Sequence, residues 1–310
     1  MTDIPDLRIG IAGAGAMGCK FGAGFISAGY EVCFYEKFSS TVNHIASQGL
    51  EVSSEDGTSF HINLNISTSP EILKDSDIVF LFVKSFDTST VVSEISRLCS
   101  PETVIVSFQN GLGNYEAIAE CFSPDKIVYG STSEGAAKSS AGHLVSGGDG
   151  VSLFGGTGKD ETILVDSILK NSGFTSKVTP DPASAVWKKA VINSAINPPG
   201  AMLGMTNGEL AENPHALELM RMISLESAAA ASAAGVEMDP DKIFDETVEI
   251  CHKTKGNRCS MLQDIENRRK TEIDSINGII IETAERAGLN AVCNKTVFNI
   301  IKALDSRGKF

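Results

Sequence analysis

The chain predicts a two-part molecule: an α/β domain built on a mostly parallel sheet, followed by an all-helical domain. Strand-like and helix-like stretches alternate from Arg8 to Val178, strand-like runs vanish after Asp181, and a glycine-rich turn joins the first strand to the first helix.

Arg8–Ala12 reads as a short buried strand. Gly13-Ala14-Gly15-Ala16-Met17-Gly18 follows, then a helical stretch from Cys19 to Ala28 closed by Gly29, then a second strand over Glu31–Glu36. In this strand, turn, helix, strand order a G-x-G-x-x-G match reads as a dinucleotide-binding signature. Gly13 permits the tight turn, and Gly15 leaves room for a pyrophosphate against backbone N–H groups. Gly18 lets the helix pack close to the sheet, and the helix N-terminus favours phosphate charge. Glu36 ends the second strand, where a carboxylate can accept bonds from an adenosine ribose and repel a 2′-phosphate, which favours NAD. Lys37 follows at once and can hold that phosphate, which favours NADP. The residues alone leave both coenzymes open.

Phe60–Ile66 alternates strictly and reads as one half-exposed strand. Asp77–Lys84 is a continuous apolar run, as in a strand covered on both faces, and Thr103–Phe108 and Lys126–Gly130 repeat the pattern. Val151–Phe154 and Phe174–Val178 flank a helix over 161–171. The result is a Rossmann-type domain over residues 1–180. In open parallel sheets ligands gather beyond the carboxyl ends of the strands, and the glycine loop, Glu36, Lys84 and Asn110 all fall there.

Helix-compatible stretches then cover 183–197, 214–234, 239–253, 260–287 and 294–305. Ala228–Ala234 is alanine-rich, and Gly235 suits a helix C-terminus. Thr179-Pro-Asp-Pro182 is the expected boundary, so the helical domain takes 181–310. Along Trp187–Pro198, Lys189, Asn193 and Asn197 recur every four residues, which places them on one helix face over roughly 12 Å. Such a stripe either faces water or, if buried, needs a polar ligand such as a small carbonyl or carboxylate. The dinucleotide signature tips the reading toward the ligand.

The formal net charge of −13, from 39 acids against 26 bases, repels nucleic acid and anionic membranes, so neither is expected as a partner. No apolar run reaches the ~20 residues of a membrane span, and the N-terminus lacks the basic and apolar regions of a signal peptide. Seven cysteines without C-x-x-C pairs suit reduced thiols and a cytoplasmic location. Cys251, His252 and Cys259 match no common zinc spacing, and no metal is expected. A homodimer is compatible with the chain.

Six motifs stand in order: GAGAMG at 13–18, VKSFDT at 83–88, QNGLGN at 109–114, WKKAVINSAINP at 187–198, TNGEL at 206–210 and SMLQDIENRRKTEIDSING at 260–278. On these the chain resembles the ketopantoate reductase (2-dehydropantoate 2-reductase) family from Arg8 to about Leu304. The resemblance implies the architecture of the 6-phosphogluconate dehydrogenase group, a Rossmann domain and a helical domain enclosing a cleft. It implies reduction of 2-dehydropantoate to (R)-pantoate with NADPH, on the route to pantothenate and coenzyme A. It makes Lys189 the proton donor and Asn193, Asn197, Asn207 and Ser260 substrate-binding residues. Asn110 then touches substrate and cofactor, while Lys84, Ala136 and Glu272 contact the cofactor. One departure stands out: the family usually has a non-acidic residue and an arginine where this chain has Glu36-Lys37, so NADH enters beside NADPH.

Lys189, as an ammonium, can clamp the ketone oxygen and protonate it, with Asn193 and Asn197 positioning the substrate. Lys188 beside it points ~100° away on a helix, and the asparagine phase selects Lys189. If a single helix joined Ser260 to Glu272 they would stand ~18 Å and about 120° apart, on different ligand atoms. Two alternatives remain: a reductase of other branched 2-oxoacids, similar to D-2-hydroxyacid dehydrogenases, and a non-catalytic dinucleotide-binding protein.

Overall fold

The computed structural model describes residues 6–54, 57–140 and 142–307, so most of the N-terminal segment read for targeting lies outside the described residues. The chain divides into two compact units. One holds Met1–Gln109 and Asn114–Pro182; the other holds Asn110–Gly113 and Ala183–Phe310.

The first unit runs β1 (Arg8–Ala12), α1 (Ala16–Ser27), β2 (Glu31–Tyr35), α2 (Ser39–Gln48), β3 (Leu50–Ser53), β4 (Ser59–Ile62), β5 (Asn65–Ser67) and β6 (Ile78–Leu81). It continues with α3 (Thr88–Ile95), β7 (Val104–Ser107), α4 (Asn114–Ala119), β8 (Ile127–Thr132), β9 (Ala136–Ser140), β10 (His143–Ser146), β11 (Val151–Gly156), α5 (Lys159–Asn171) and β12 (Thr175–Val178). Eight strands form one sheet in the order β12-β11-β8-β7-β6-β1-β2-β5. Every pairing in it is parallel except β8 with β11. The central strands β6 and β7 are buried along their whole length, the burial that continuous apolar runs require. Phe21, Phe25, Phe80, Phe82, Phe108, Phe154 and Phe174 meet ring against ring in the core beneath α1.

Four short strands form a second sheet in the order β4-β3-β10-β9. The single strand expected over Phe60–Ile66 is therefore two: β4 pairs with β3 in the small sheet, and β5 pairs with β2 at the edge of the large one. Alternation reports a strand's faces and not which sheet it joins, and here it did not even report burial, since Phe60 is exposed. The small sheet packs on α1. Lys20, buried on α1, meets Glu134 at 2.7 Å and donates to the carbonyls of Gly135 and Gly147. A buried ammonium is tolerable only with such partners.

The second unit comprises α6 (Pro182–Leu203), α7 (Asn207–Glu212), α8 (Pro214–Ala233), α9 (Pro240–Lys253), α10 (Ser260–Glu266), a wide π-type turn over Asp274–Gly278, α11 (Ile279–Arg286) and α12 (Val292–Asp305). The sequence ends the first of these at Asn197, before two prolines, yet α6 runs through Pro198 and Pro199 to Leu203. Pro198 cannot donate to the Ser194 carbonyl. Asn277 Nδ2 donates to it instead at 3.3 Å, so the orphaned acceptor is met from a neighbouring element.

The helix expected over 260–287 is broken. It stops at Glu266, Arg268 takes φ 53, and Arg269 N–H turns back to the Asp264 carbonyl. Asn267-Arg-Arg-Lys270 offers no apolar residue to hold a helix face against a core. The separation of ~18 Å and 120° reasoned for Ser260 and Glu272 therefore does not apply.

Candidate functional site

In the first unit the glycine loop fits a dinucleotide. Gly13 sits at φ 101, where a side chain would be strained. A Cβ on Gly18 would overlap the Gly13 carbonyl, while one on Gly15 would meet nothing within 4 Å. The last observation is the informative one, because open space over Gly15 is what a pyrophosphate needs. Ala16 and Met17 begin α1, whose first turn has no side-chain cap and so offers its N–H groups to an anion. Ala136, half-buried on β9, packs against the same core cluster as Ala16 and Met17, and Lys138 Nζ donates to the Ala14 carbonyl at 3.0 Å. Nothing in the sequence points to Lys138; its approach to the loop depends on the second sheet.

Glu36 is buried at the end of β2, and both its oxygens are oriented. Oε2 accepts from Ala14 N–H at 3.0 Å and Oε1 from Phe38 N–H at 3.1 Å. Each oxygen keeps a lone pair for a ribose hydroxyl. Lys37 turns aside to Asp87. Lys84 is half-buried at the head of the Ser85–Asp87 turn.

The 83–88 and 109–114 motifs are tied together by Gln109. Its amide donates to the Val83 carbonyl and to Thr88 Oγ1, both at 2.8 Å, and Thr88 Oγ1 donates to Asn114 Oδ1 at 2.9 Å. These buried residues fix the ends of β6 and β7. Sequence reading quoted their motifs without giving them that role.

In the second unit Lys189, Asn193 and Asn197 lie on α6. Lys188 reaches Glu246 at 2.6 Å and is exposed. Lys189 keeps some accessible surface but is crowded by protein, and burial lowers its ammonium to about 8, a shift that the Glu272 carboxylate partly opposes. Asn197 is only 5% exposed, so the stripe does not simply face water. Neither asparagine makes a side-chain hydrogen bond among the described residues, leaving two amides on one face to be met by something else.

Other expected residues lie in the same unit. The Cys259 thiol lies 3.5 Å from the Asn197 carbonyl and caps α10, which sets Ser260 at the exposed head of that helix without a capping role. Asn207 is committed structurally: its Nδ2 donates to Thr254 at 2.8 Å, while Oδ1 is buried without a partner. Thr206 and Glu209 form a reciprocal capping box, so TNGEL is in part a helix-start signal. Asn110 opens the four-residue loop that belongs to this unit. Leu112 N–H donates to the Ser275 carbonyl at 2.8 Å, and Gly111, at φ 84, lies so close to Ser275 that no side chain fits. That contact brings Asn110 to the Glu272–Ser275 turn, and Glu272 brings the turn within electrostatic range of Lys189.

The loop that fits a dinucleotide and, separately, the desolvated lysine beside two unbonded amides each suit a nicotinamide-dependent oxidoreductase. Residues 9–158 match the family model "Ketopantoate reductase PanE/ApbA", and residues 182–305 match its C-terminal counterpart. The 2-dehydropantoate 2-reductase of Archaeoglobus fulgidus is 33% identical over 302 residues, covering 96% of this chain and 98% of that one. That of Pyrococcus horikoshii is 32% identical over 307 residues, 97% and 99% of the two chains. Among solved structures, 2-dehydropantoate 2-reductase from Geobacter metallireducens superposes with a TM-score of 0.89 at 27% identity, covering 96% of this chain and 99% of that one. A D-mandelate dehydrogenase in ternary complex shares the fold, with a TM-score of 0.92 at 24% identity over 98% of this chain and all of that one. The chain belongs to the ketopantoate reductase family.

Proposed function

We infer that this chain reduces the ketone of 2-dehydropantoate to (R)-pantoate, in the supply of pantothenate and coenzyme A. The observation that carries the reading is Lys189: a desolvated ammonium on a helix face whose two asparagine amides have no side-chain hydrogen bond among the described residues. A nicotinamide coenzyme held at the glycine loop would supply the hydride that ketone reduction needs. Lys189 Nζ donates a hydrogen bond to the carbonyl oxygen, stabilises the charge that develops there, and delivers its proton. A pKa of about 8 leaves the group protonated at neutral pH yet a better acid than an ordinary lysine. Asn193 and Asn197 orient the substrate's oxygens, Ser260 adds a hydroxyl, and Asn110 and Glu272 complete the polar surround. The buried Oδ1 of Asn207 leaves that residue one acceptor to offer.

The coenzyme assigned is NADH, on the two backbone bonds that hold Glu36 ready for ribose hydroxyls; the resemblance alone pointed to NADPH. All seven cysteines are unpaired, which suits a reducing, cytoplasm-like compartment.

The test is oxidation of NADH and of NADPH by purified protein with 2-dehydropantoate, beside branched 2-oxoacids. Selective turnover of 2-dehydropantoate is expected, and faster turnover of another ketoacid would overturn the substrate. Lys189→Ala should lower kcat by about three orders of magnitude or more, with coenzyme binding unchanged. Near-wild-type turnover in that variant would remove Lys189 from the mechanism.

A further inference from the structure

Asp87 has no role in the site as described, yet it decides what Lys37 can do. The Lys37 ammonium lies 2.6 Å from Asp87 Oδ2 and 5.0 Å from the Phe38 ring centre. Asp87 is the more buried partner, 23% exposed against 44% for Lys37. Asp87 thus holds the ammonium that follows Glu36 at the end of β2. Lys84, at the head of the same turn, is not free either.

The two coenzymes differ at one position of the adenosine ribose. A 2′-hydroxyl donates a hydrogen bond, which Glu36 can accept without disturbing its neighbours. A 2′-phosphate offers only acceptors and about two negative charges. It would have to draw Lys37 away from Asp87 and then sit beside the Glu36 carboxylate. We propose that Asp87 is a specificity-determining residue, which by holding Lys37 sets the coenzyme site for NADH against NADPH. The proposal rests on reading the glycine loop as the coenzyme site.

Asp87 precedes α3 but makes no side-chain capping bond to it, so Asp87→Asn leaves the helix start intact. Calorimetric titration with ADP-ribose and with 2′-phospho-ADP-ribose, which lack the nicotinamide, reads the effect apart from turnover. The wild type should bind ADP-ribose about tenfold more tightly or better. Asp87→Asn should strengthen 2′-phospho-ADP-ribose binding about fivefold or more, with ADP-ribose held within about twofold, and adding Lys37→Ala should abolish the gain. An unmoved ratio in Asp87→Asn, or a gain that survives loss of Lys37, would overturn the proposal while leaving the glycine-loop site standing. Binding of neither fragment by the wild type would overturn the site and the proposal together.

Discussion

The burial of the Lys189 ammonium lowers stability. Its pKa falls from 10.5 to about 8 in the folded chain, so between these values the unfolded chain binds more protons. Stability contributed by this group therefore rises with pH through that window and is lowest, relative to a neutral residue, below about pH 8. The full shift corresponds to about 3 kcal/mol, and solvent at the partly exposed flank reduces that. Lys189→Met should accordingly raise Tm at pH 7 by a few degrees while abolishing turnover; scanning calorimetry that finds a lower Tm would contradict the burial argument. The same shift gives a rate prediction. Ketone reduction should decline as pH climbs past about 8, and a profile flat to pH 10 would mean that Lys189 does not supply the proton. The sequence placed Lys189 and its asparagines on one face because a step of four is a helical property. It was silent on the pairing of Lys37 with Asp87, fifty residues apart, which exists only through the fold.

At the scale of elements, α6 depends on its neighbours. Ser194 Oγ donates to the Val191 carbonyl and meets Ser227, which bonds Asn294, which accepts from Asn277 Nδ2 at 3.0 Å. Glu226 holds Asn294 from outside. All four residues of the inner chain are fully buried, and Asn277 also serves the carbonyl that Pro198 orphans. Asn277→Leu should cost on the order of 2–3 kcal/mol, since it removes the donor to two buried acceptors at once, and should raise KM by disturbing the phase of Asn193 and Asn197. Denaturant unfolding and steady-state kinetics check the two halves, and an unchanged midpoint would show that the network is dispensable. The parallel strands were legible from sequence because burial on both faces leaves an uninterrupted apolar run. The strands of the small sheet were not: they are short and polar, and β4 is almost wholly exposed. The break after Glu266 was visible only as a missing apolar stripe over four residues, too brief to separate from a tolerated polar turn of helix.

Considered as a whole molecule, each unit borrows from distant sequence. The boundary expected from composition lies within Thr179–Pro182, and composition gives no sign that Asn110–Gly113 belongs with the helices. Leu112 is buried there with Ala190, Ala230, Ile280 and Ala284. A fragment starting at Ala183 should therefore expose that apolar cluster and bind a hydrophobic dye more strongly than the full chain; a monomeric, dye-silent fragment would refute this. The small sheet is equally composite, and Lys20→Met would leave Glu134 buried without its cation. That change should destabilise the first unit by about 3–5 kcal/mol and weaken coenzyme binding, read by thermal unfolding with and without ligand.

The borrowed loop also sets a timetable for the chain's birth on the ribosome. Leu112 is synthesised long before Ser275, whose carbonyl its N–H must reach. At ~5–20 residues per second the loop waits on the order of ten seconds for its partner. The first unit can close around its sheet in that interval, but Asn110 acquires its setting only when the last helices emerge. The proposed site is therefore assembled only in the completed chain, and a nascent chain whose Val178 has cleared the ribosome would display a finished sheet with an unfinished site.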